Sequence, residues 1–431
     1  LTEFLYIIKT KIVPTNSFRY FQKNITYFDH SCQSLRPKSV INAILKYYVE
    51  VNTCSGRGSH SLSDALDKEI EFLRQTILQF LGKDSQYTVV FTTNTTVGIN
   101  SLLTNLDWER YENIVTTNKE HNSVFLPALS FSKQFNKNFI CLNRDEMGQI
   151  NLEDIRNLSK SVIIFNTTSN IDGVSVENLP ILSQQLKARD NLILLDATQS
   201  LAHSNLDFSN SDFDCLFASS HKLYGPSLGF MVIKKNLLKN LKQFWVGGGT
   251  VKKVSGESFE FIDQESDLPS KFEFGLQDYA GMYGLLEALK WLQDFKIKNE
   301  YSKINYKRNP FEQIQENILH TGPSKEALYY IENLAELLFV EMQNLAKLGK
   351  IKLLNQKASS IISFVPKNMD SYQLAETLDK KGFVFRSGFL CNHYYIKEVQ
   401  KLPAVSRFSL GLHNTPKDIY LLISLLHEKL L

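Results

Sequence analysis

Ser219-Ser220-His221-Lys222-Leu223-Tyr224-Gly225-Pro226 is the stretch on which the reading of this chain turns. An apolar run, 213–218, leads into it, and a Gly-Pro pair and a second apolar run, 229–233, follow it. That pattern predicts strand, tight turn, strand, with Lys222 held at the turn. A lysine in a turn is ordinarily a solvated charge. Upstream, however, 191–199 reads as a buried-type strand that ends in a carboxylate, Asp196.

Outward from that pair, short apolar runs at 89–91, 114–116, 139–142, 162–165, 192–195, 215–218 and 230–233 alternate with helix-period segments. Continuous apolar runs of this kind predict an α/β domain with a mostly parallel sheet covered on both faces. Ligands on such sheets bind beyond the carboxyl ends of the strands. Before the sheet come a helix-like stretch, 38–49, a loop, 52–60, and an amphipathic helix from Ser63. Its Leu66, Ile70, Leu73, Ile77 and Phe80 recur at three and four until Gly82 stops it. After Trp245-Val246-Gly247-Gly248-Gly249-Thr250 the texture changes. A polar stretch, 255–270, leads to helices around 279–295 and to an insertion, 296–322, rich in Lys, Asn and Tyr. A long helix is expected over 325–348, strands at 351–354, 361–365, 384–386 and 407–412, a helix near 372–381, and a closing helix from Pro416. The expected division is an N-terminal arm, 1–30, packing with the small domain; a large α/β domain, 31–260; and a smaller α+β C-terminal domain, 261–431. The apolar patch Phe4-Leu5-Tyr6-Ile7-Ile8 has no small-residue cleavage site behind it and reads as part of the arm, not as a signal peptide.

At 431 residues the chain has room for two domains, and 43% hydrophobic against 22% charged residues is ordinary for a folded soluble protein. A net charge of +3 gives no case for nucleic acid or a membrane surface as partner. No apolar run reaches the ~20 residues that cross a bilayer. Cys32, Cys54, Cys141, Cys215 and Cys391 are scattered and form no C-x-x-C pair, so neither a disulfide framework nor a zinc site is expected. A reducing compartment, the cytoplasm, follows.

Four further stretches carry chemistry. In Phe91-Thr92-Thr93-Asn94-Thr95-Thr96-Val97-Gly98 a strand passes into a helix through small hydroxyl residues. Free N–H groups there make an anion site, although Thr95 or Thr96 could equally serve as a plain N-cap. His121 follows the run 114–116 and reads either as a helix-start residue or as a catalyst. Asn170, before Gly173, reads as a turn residue or as a polar site residue. Cys391 lies in Arg386-Ser387-Gly388-Phe389-Leu390-Cys391-Asn392. A free cysteine is usually a small buried hydrophobe, but a polar, Gly-containing loop suits an exposed nucleophile. Arg407 brings a planar fork that matches a carboxylate.

Ser-x-His-Lys-x-Tyr-Gly-Pro, with Asp-x-x-Gln upstream and Arg-x-Gly-x-x-Cys downstream, resembles the class V aminotransferase superfamily, most nearly its cysteine desulfurase and selenocysteine lyase branch. The resemblance runs from about Tyr27 to the C-terminus. It implies the type I (aspartate aminotransferase-like) fold of pyridoxal phosphate enzymes, pyridoxal 5'-phosphate as cofactor, and a homodimer. Lys222 would then join the cofactor aldehyde, and Asp196 would keep the ring nitrogen protonated so that the ring acts as an electron sink. His121 would lie against the ring and Asn170 and Gln199 near its phenolate oxygen. Asn94, Thr95, Thr96, Ser219 and His221 would hold the phosphate. For the substrate, L-cysteine or a close analogue, Arg407 would grip the α-carboxylate, with Arg386 and Asn170 beside it and Arg57 and His60 at the mouth. Cys391 would take the sulfur as a persulfide, leave alanine, and hand the sulfur to an acceptor protein. Selenocysteine lyase or another C–S lyase, a molybdenum cofactor sulfurase-like module and a non-catalytic regulator on the same fold stay open as alternatives.

The sequence departs from the family pattern at four places. Asn94 stands where relatives carry Gly. Phe274-Gly275-Leu276 lacks a threonine hydroxyl that relatives extend across the dimer interface. His30-Ser31-Cys32 replaces a small-residue pair and alters one wall of the pocket, and Gly56 stands where His commonly precedes Arg-Gly.

Overall fold

The computed structural model describes residues 16–18, 24–56, 58–204, 206–242, 245–261, 268–296 and 321–430. The apolar patch 4–8, Arg57 and nearly all of the insertion 296–322 lie outside the described residues.

The chain enters through a two-residue strand, β1 (Thr26–Tyr27), and two helices, α1 (Lys38–Lys46) and α2 (Ser61–Phe80). The main sheet follows: β2 (Tyr87–Thr92), β3 (Asn113–Thr117), β4 (Asn138–Leu142), β5 (Ser161–Asn166), β6 (Leu192–Asp196), β7 (Cys215–Ser219) and β8 (Gly229–Lys234). These seven strands lie in the order β2-β8-β7-β6-β5-β3-β4. All neighbours pair in parallel except β8, which runs antiparallel to β7 and β2. The uninterrupted apolar runs have a physical reason: both faces are covered. In β6, Ile193 and Leu195 point into one core with Leu66 and Leu73 of α2. Leu192 and Leu194 point into the other, with residues of α3 (Thr95–Asn105) and α4 (Asn122–Gln134) such as Leu102 and Val124. The expected mostly parallel, doubly covered α/β sheet is therefore what the chain forms.

A hairpin, β9 (Val251–Val254) and β10 (Phe259–Phe261), follows, its second strand lying within the polar stretch 255–270. Helix α5 (Tyr279–Gln293) then packs on α1 and α2. After α6 (Lys325–Lys347) comes a second, antiparallel sheet of β11 (Ile351–Leu353), β12 (Ile361–Pro366), β14 (Arg386–Gly388) and β15 (Val405–Ser409), in the order β11-β12-β15-β14. The single strand expected at 384–386 is in fact two. β13 (Phe383–Val384) pairs in parallel with β1, whereas β14 pairs with β15, so the chain changes partner at Phe385. The main chain continues this junction: Ser409 N donates to Phe28 O (2.7 Å), and Thr26 N to Gly382 O (2.7 Å). The last helix, Pro416–Lys429, opens with a capping box between Thr415 and Asp418.

Candidate active site

The register of the main sheet brings Asn166 opposite Asp196, and Asp196 opposite Phe217, so the carboxyl ends of β5, β6 and β7 lie side by side. A cavity of about 410 Å³ opens over them. Every candidate named from the sequence lines it except His60, which lies off the cavity, and Arg57, which lies outside the described residues.

Lys222 closes a single 3₁₀ turn, Ser220–Lys222, between β7 and β8. Ser220 N donates to Leu228 O (2.7 Å) and Gly225 N to Ser220 O (3.0 Å). A Cβ on Gly225 would lie 1.9 Å from Ser220 Oγ, so a larger residue here would force that hydroxyl to move. Tyr224 takes a left-handed conformation (φ 60°) and is clamped at both ends. Its N–H donates to Ser34 Oγ (2.9 Å), and its hydroxyl accepts from Leu412 N (2.8 Å). Beneath the turn the His30 ring meets Tyr224 (4.6 Å between centroids) and His203 (4.7 Å). Burial is the main force lowering the Lys222 amine below the usual lysine range; Asp196 pulls it back up and Arg407 lowers it further. Burial raises the Asp196 carboxyl, against hydrogen bonds from Thr198, whose N–H lies 3.0 Å from Oδ1.

At one end of the cavity stands the N-terminus of α3. Its cap is Asn94, not Thr95 or Thr96: Asn94 Oδ1 accepts from Val97 N (2.9 Å). Thr95 N donates to Ser219 Oγ (3.0 Å), and the Thr95 hydroxyl contacts those of Ser219 (2.7 Å) and Thr198 (2.8 Å). Hydroxyls from three elements thus gather at a helix start, an arrangement that suits an anion. His221, beside it, is lowered to about 4 by burial and then by the Lys222 and Arg36 charges.

His121 is both things the sequence left open. It caps α4, Nδ1 accepting from Ser123 N (3.1 Å), and it lines the cavity. Burial, followed by the charges of Lys222, Arg407 and His221, lowers it to about 3, so the imidazole is neutral near pH 7. Behind it Glu120 and Arg144 form a fully buried ion pair (2.8 Å) that also grips β5: Glu120 Oε2 accepts from Asn166 N (2.6 Å), and Arg144 Nη2 donates to Asn166 O (2.6 Å). Burial raises Glu120 to about 7 although Arg144 pulls it down.

The opposite end is cationic. Buried Arg407 donates from Nη1 to Asn170 O (2.9 Å) and from Nη2 toward Asp29 Oδ1 (3.5 Å), and its Nε has no partner. Arg386 Nη2 donates to Asp29 Oδ2 (2.6 Å) and to Cys32 Sγ (2.7 Å). One carboxylate therefore holds two guanidinium groups at the cavity wall. On the rim, Leu390 (φ 50°) and Cys391 (φ 53°) both adopt the left-handed conformation, which costs on the order of 1–3 kcal/mol for a non-glycine residue. Side chains and main chain pin them: Asn170 Nδ2 donates to Leu390 O (2.7 Å) and Asn122 N to Cys391 O (2.7 Å). Asn392 Nδ2 donates to Asn170 Oδ1 (3.2 Å). The Cys391 side chain is exposed.

Gln199 donates from Nε2 to Ser31 O (2.9 Å), while its buried Oε1 has no partner. His60 does not reach the cavity; it caps α2, Nδ1 accepting from Ser63 N (3.2 Å). Leu276 is 76% exposed and also lies off the cavity. The sequence reading passed over Asp29, Thr198, Asn166 and the Glu120–Arg144 pair. Asp29 sits in Tyr27-Phe28-Asp29-His30 and Thr198 two residues after Asp196, so proximity to a noticed motif was the available signal. Among the described residues no group of histidine, cysteine and carboxylate side chains is placed to hold a metal, and no helix is long and apolar enough to cross a membrane.

Comparison with known proteins agrees with this geometry. The family model for class-V aminotransferases matches residues 26–330 and 316–422, and the chain belongs to that family. It is 28% identical to a probable cysteine desulfurase of Borreliella burgdorferi, over 95% of this chain and 92% of that protein. It is likewise 28% identical to a cysteine desulfurase of Wigglesworthia glossinidia brevipalpis, over 94% and 93%. Its fold is that of a solved cysteine desulfurase from Thermococcus onnurineus (TM-score 0.80, 22% identity, 97% of this chain and 98% of that one). A cysteine desulfurase from Escherichia coli aligns at a TM-score of 0.78 with 22% identity, covering 96% of each chain.

Proposed function

We propose that this protein is a pyridoxal phosphate-dependent cysteine desulfurase, which removes sulfur from L-cysteine to leave alanine and a persulfide on Cys391. The observation that carries the reading is one cavity lined by a buried-side lysine, a strand-end carboxylate, a partly unpartnered arginine and an exposed cysteine. The names of the relatives support the substrate.

The donor set fits the cofactor. Asn94, Thr95 and Thr96 at the helix start, with Ser219 and His221, suit a phosphate. Asp196 suits a protonated ring nitrogen, the neutral His121 ring a flat aromatic face, and Asn170 and Gln199 the phenolate oxygen. Bound there, pyridoxal phosphate supplies an electron sink for the substrate carbon. Arg407 holds the substrate carboxylate, its unpartnered Nε giving one of two parallel donors, and Arg386 adds charge beside it. That grip aims the Cα–H bond at Lys222 and the sulfur at the rim. Lys222 Nζ, lowered by burial, takes the Cα proton and returns a proton to carbon. Cys391 Sγ, as thiolate, attacks the substrate sulfur; the C–S electron pair stays with carbon, which is protonated to alanine.

An exposed Cys391 can pass its sulfur to an acceptor protein without opening the fold. The apolar residues Leu45 (58% exposed) and Val49 (73% exposed), on α1 and its continuation, support a homodimer that covers them. Five free cysteines support a reducing, cytoplasmic setting. Incubation with L-cysteine tests the reading: alanine should form, and the peptide that contains Cys391 should gain the mass of one sulfur atom. No alanine and no gain from a protein that holds cofactor would overturn it.

A further inference from the structure

The cavity has a second thiol. Of the five cysteines, Cys32 and Cys391 line it; Cys54 is exposed elsewhere, and Cys141 and Cys215 sit in strands of the main sheet. Cys32 occupies the wall and Cys391 the rim of the cavity that Lys222 also lines. The main chain around Cys32 is fixed. Cys32 N donates to Asp29 O (3.1 Å), and Ser31 N to Ser409 Oγ (2.9 Å). Its sulfur accepts from Arg386 Nη2 (2.7 Å), and that guanidinium is itself anchored on Asp29 (2.6 Å). A cation that donates to sulfur stabilises an anionic sulfur species more than a neutral one. The wall position is half-buried, whereas the rim position is open to solvent.

We propose that Cys32 is a second sulfur carrier, which takes the sulfur from the Cys391 persulfide and stores it inside the cavity. The proposal rests on the desulfurase reading above. Cys32 Sγ attacks the outer sulfur of the persulfide. The bond between that sulfur and Cys391 Sγ breaks as the new bond to Cys32 Sγ forms. Cys391 leaves as thiolate and takes the proton that Cys32 loses, and Arg386 stabilises the persulfide now on Cys32. One S–S bond replaces another, so the step needs no oxidant or reductant. Cys391 is then free for a second turnover, and the stored sulfur is screened from thiols in solution.

The test uses holoenzyme, L-cysteine and neither reductant nor acceptor, with alkylation at intervals, digestion, and mass analysis of the peptides containing Cys32, Cys54 and Cys391. A one-sulfur gain should appear first on Cys391, then on Cys32, and not on Cys54. In Cys391→Ser the gain on Cys32 should be lost. In Cys32→Ser the alanine burst should fall to half, while Cys391 still gains its sulfur. Cys32 unmodified while Cys391 gains sulfur would overturn the relay and leave the desulfurase reading standing. Sulfur on Cys32 in Cys391→Ser, equal gain on exposed Cys54, or a Cys32–Cys391 disulfide with free sulfide would overturn it too. If neither cysteine gains sulfur and no alanine forms, the desulfurase reading falls and the relay with it.

Discussion

The turn that carries Lys222 and the loop that carries Cys391 meet at one cavity and are held by opposite means. The turn joins two buried strands of the main sheet, and Tyr224, Ser34 and Ser220 fix it from below. The loop is exposed at Cys391, bends through two left-handed residues, and is tied by the amides of Asn122, Asn170 and Asn392. A group that moves protons gains from a dry, rigid seat, where burial tunes its charge. On the proposed reading, the group that carries sulfur outward needs solvent, so amide ties replace burial as the source of its position.

Replacing Lys222 tests the inner seat most severely. Lys222→Ala should lower alanine formation by at least ~100-fold and abolish borohydride trapping of cofactor on the chain. Retained trapping would place the reactive amine elsewhere. Cys391→Ser should act on the rim alone: sulfur transfer is lost while the visible absorbance of bound cofactor remains. Unchanged sulfur transfer would remove the rim from the mechanism.

Acid should weaken the fold beneath the inner seat. The buried His30 and His203 stay neutral in the fold, the second lowered to about 3, mainly by burial. The unfolded chain binds those protons below its ordinary histidine pKa. The stability is therefore present above about pH 6.5 and is lost as pH falls, by about 2 kcal/mol per histidine at pH 5. Denaturant midpoints at pH 7.5 and pH 5 measure this, and a flat profile would show that these rings are not buried neutral. The smallest effect is expected at the ties. Asn392→Ala removes the bond to Asn170 and should cost about 1 kcal/mol, slowing sulfur transfer while leaving borohydride trapping at Lys222 unchanged. Equal loss of both would mean that rim and seat are one unit.

The seat was far more legible in the sequence than the wall. Strands β2 to β8 announce themselves because a doubly covered parallel sheet writes continuous apolar runs, and Asp196 and Lys222 follow such runs directly. The split at Phe385 left no local trace, since it depends on β1 arriving from the other end of the chain. Asp29 was invisible for the same reason: its arginine partners are distant in sequence. Asn94 illustrates a different limit. In a run of Thr and Asn any residue can cap a helix, and only the packed geometry selects one. Gln199 and Asn170 were found by motif, but the bonds that occupy their amides, to Ser31 and Leu390, belong to segments far away.

Asp29 reaches Arg386 across 357 positions and Arg407 across 378. A ribosome therefore releases the acidic clamp at the beginning of synthesis and its two basic partners near the end. The main sheet is complete by Lys234 and can fold on the emerging chain, with β1 waiting for an edge that has not been made. An interrupted translation product that ends before Arg386 therefore lacks both basic partners of Asp29 and also the Leu412 amide that clamps Tyr224.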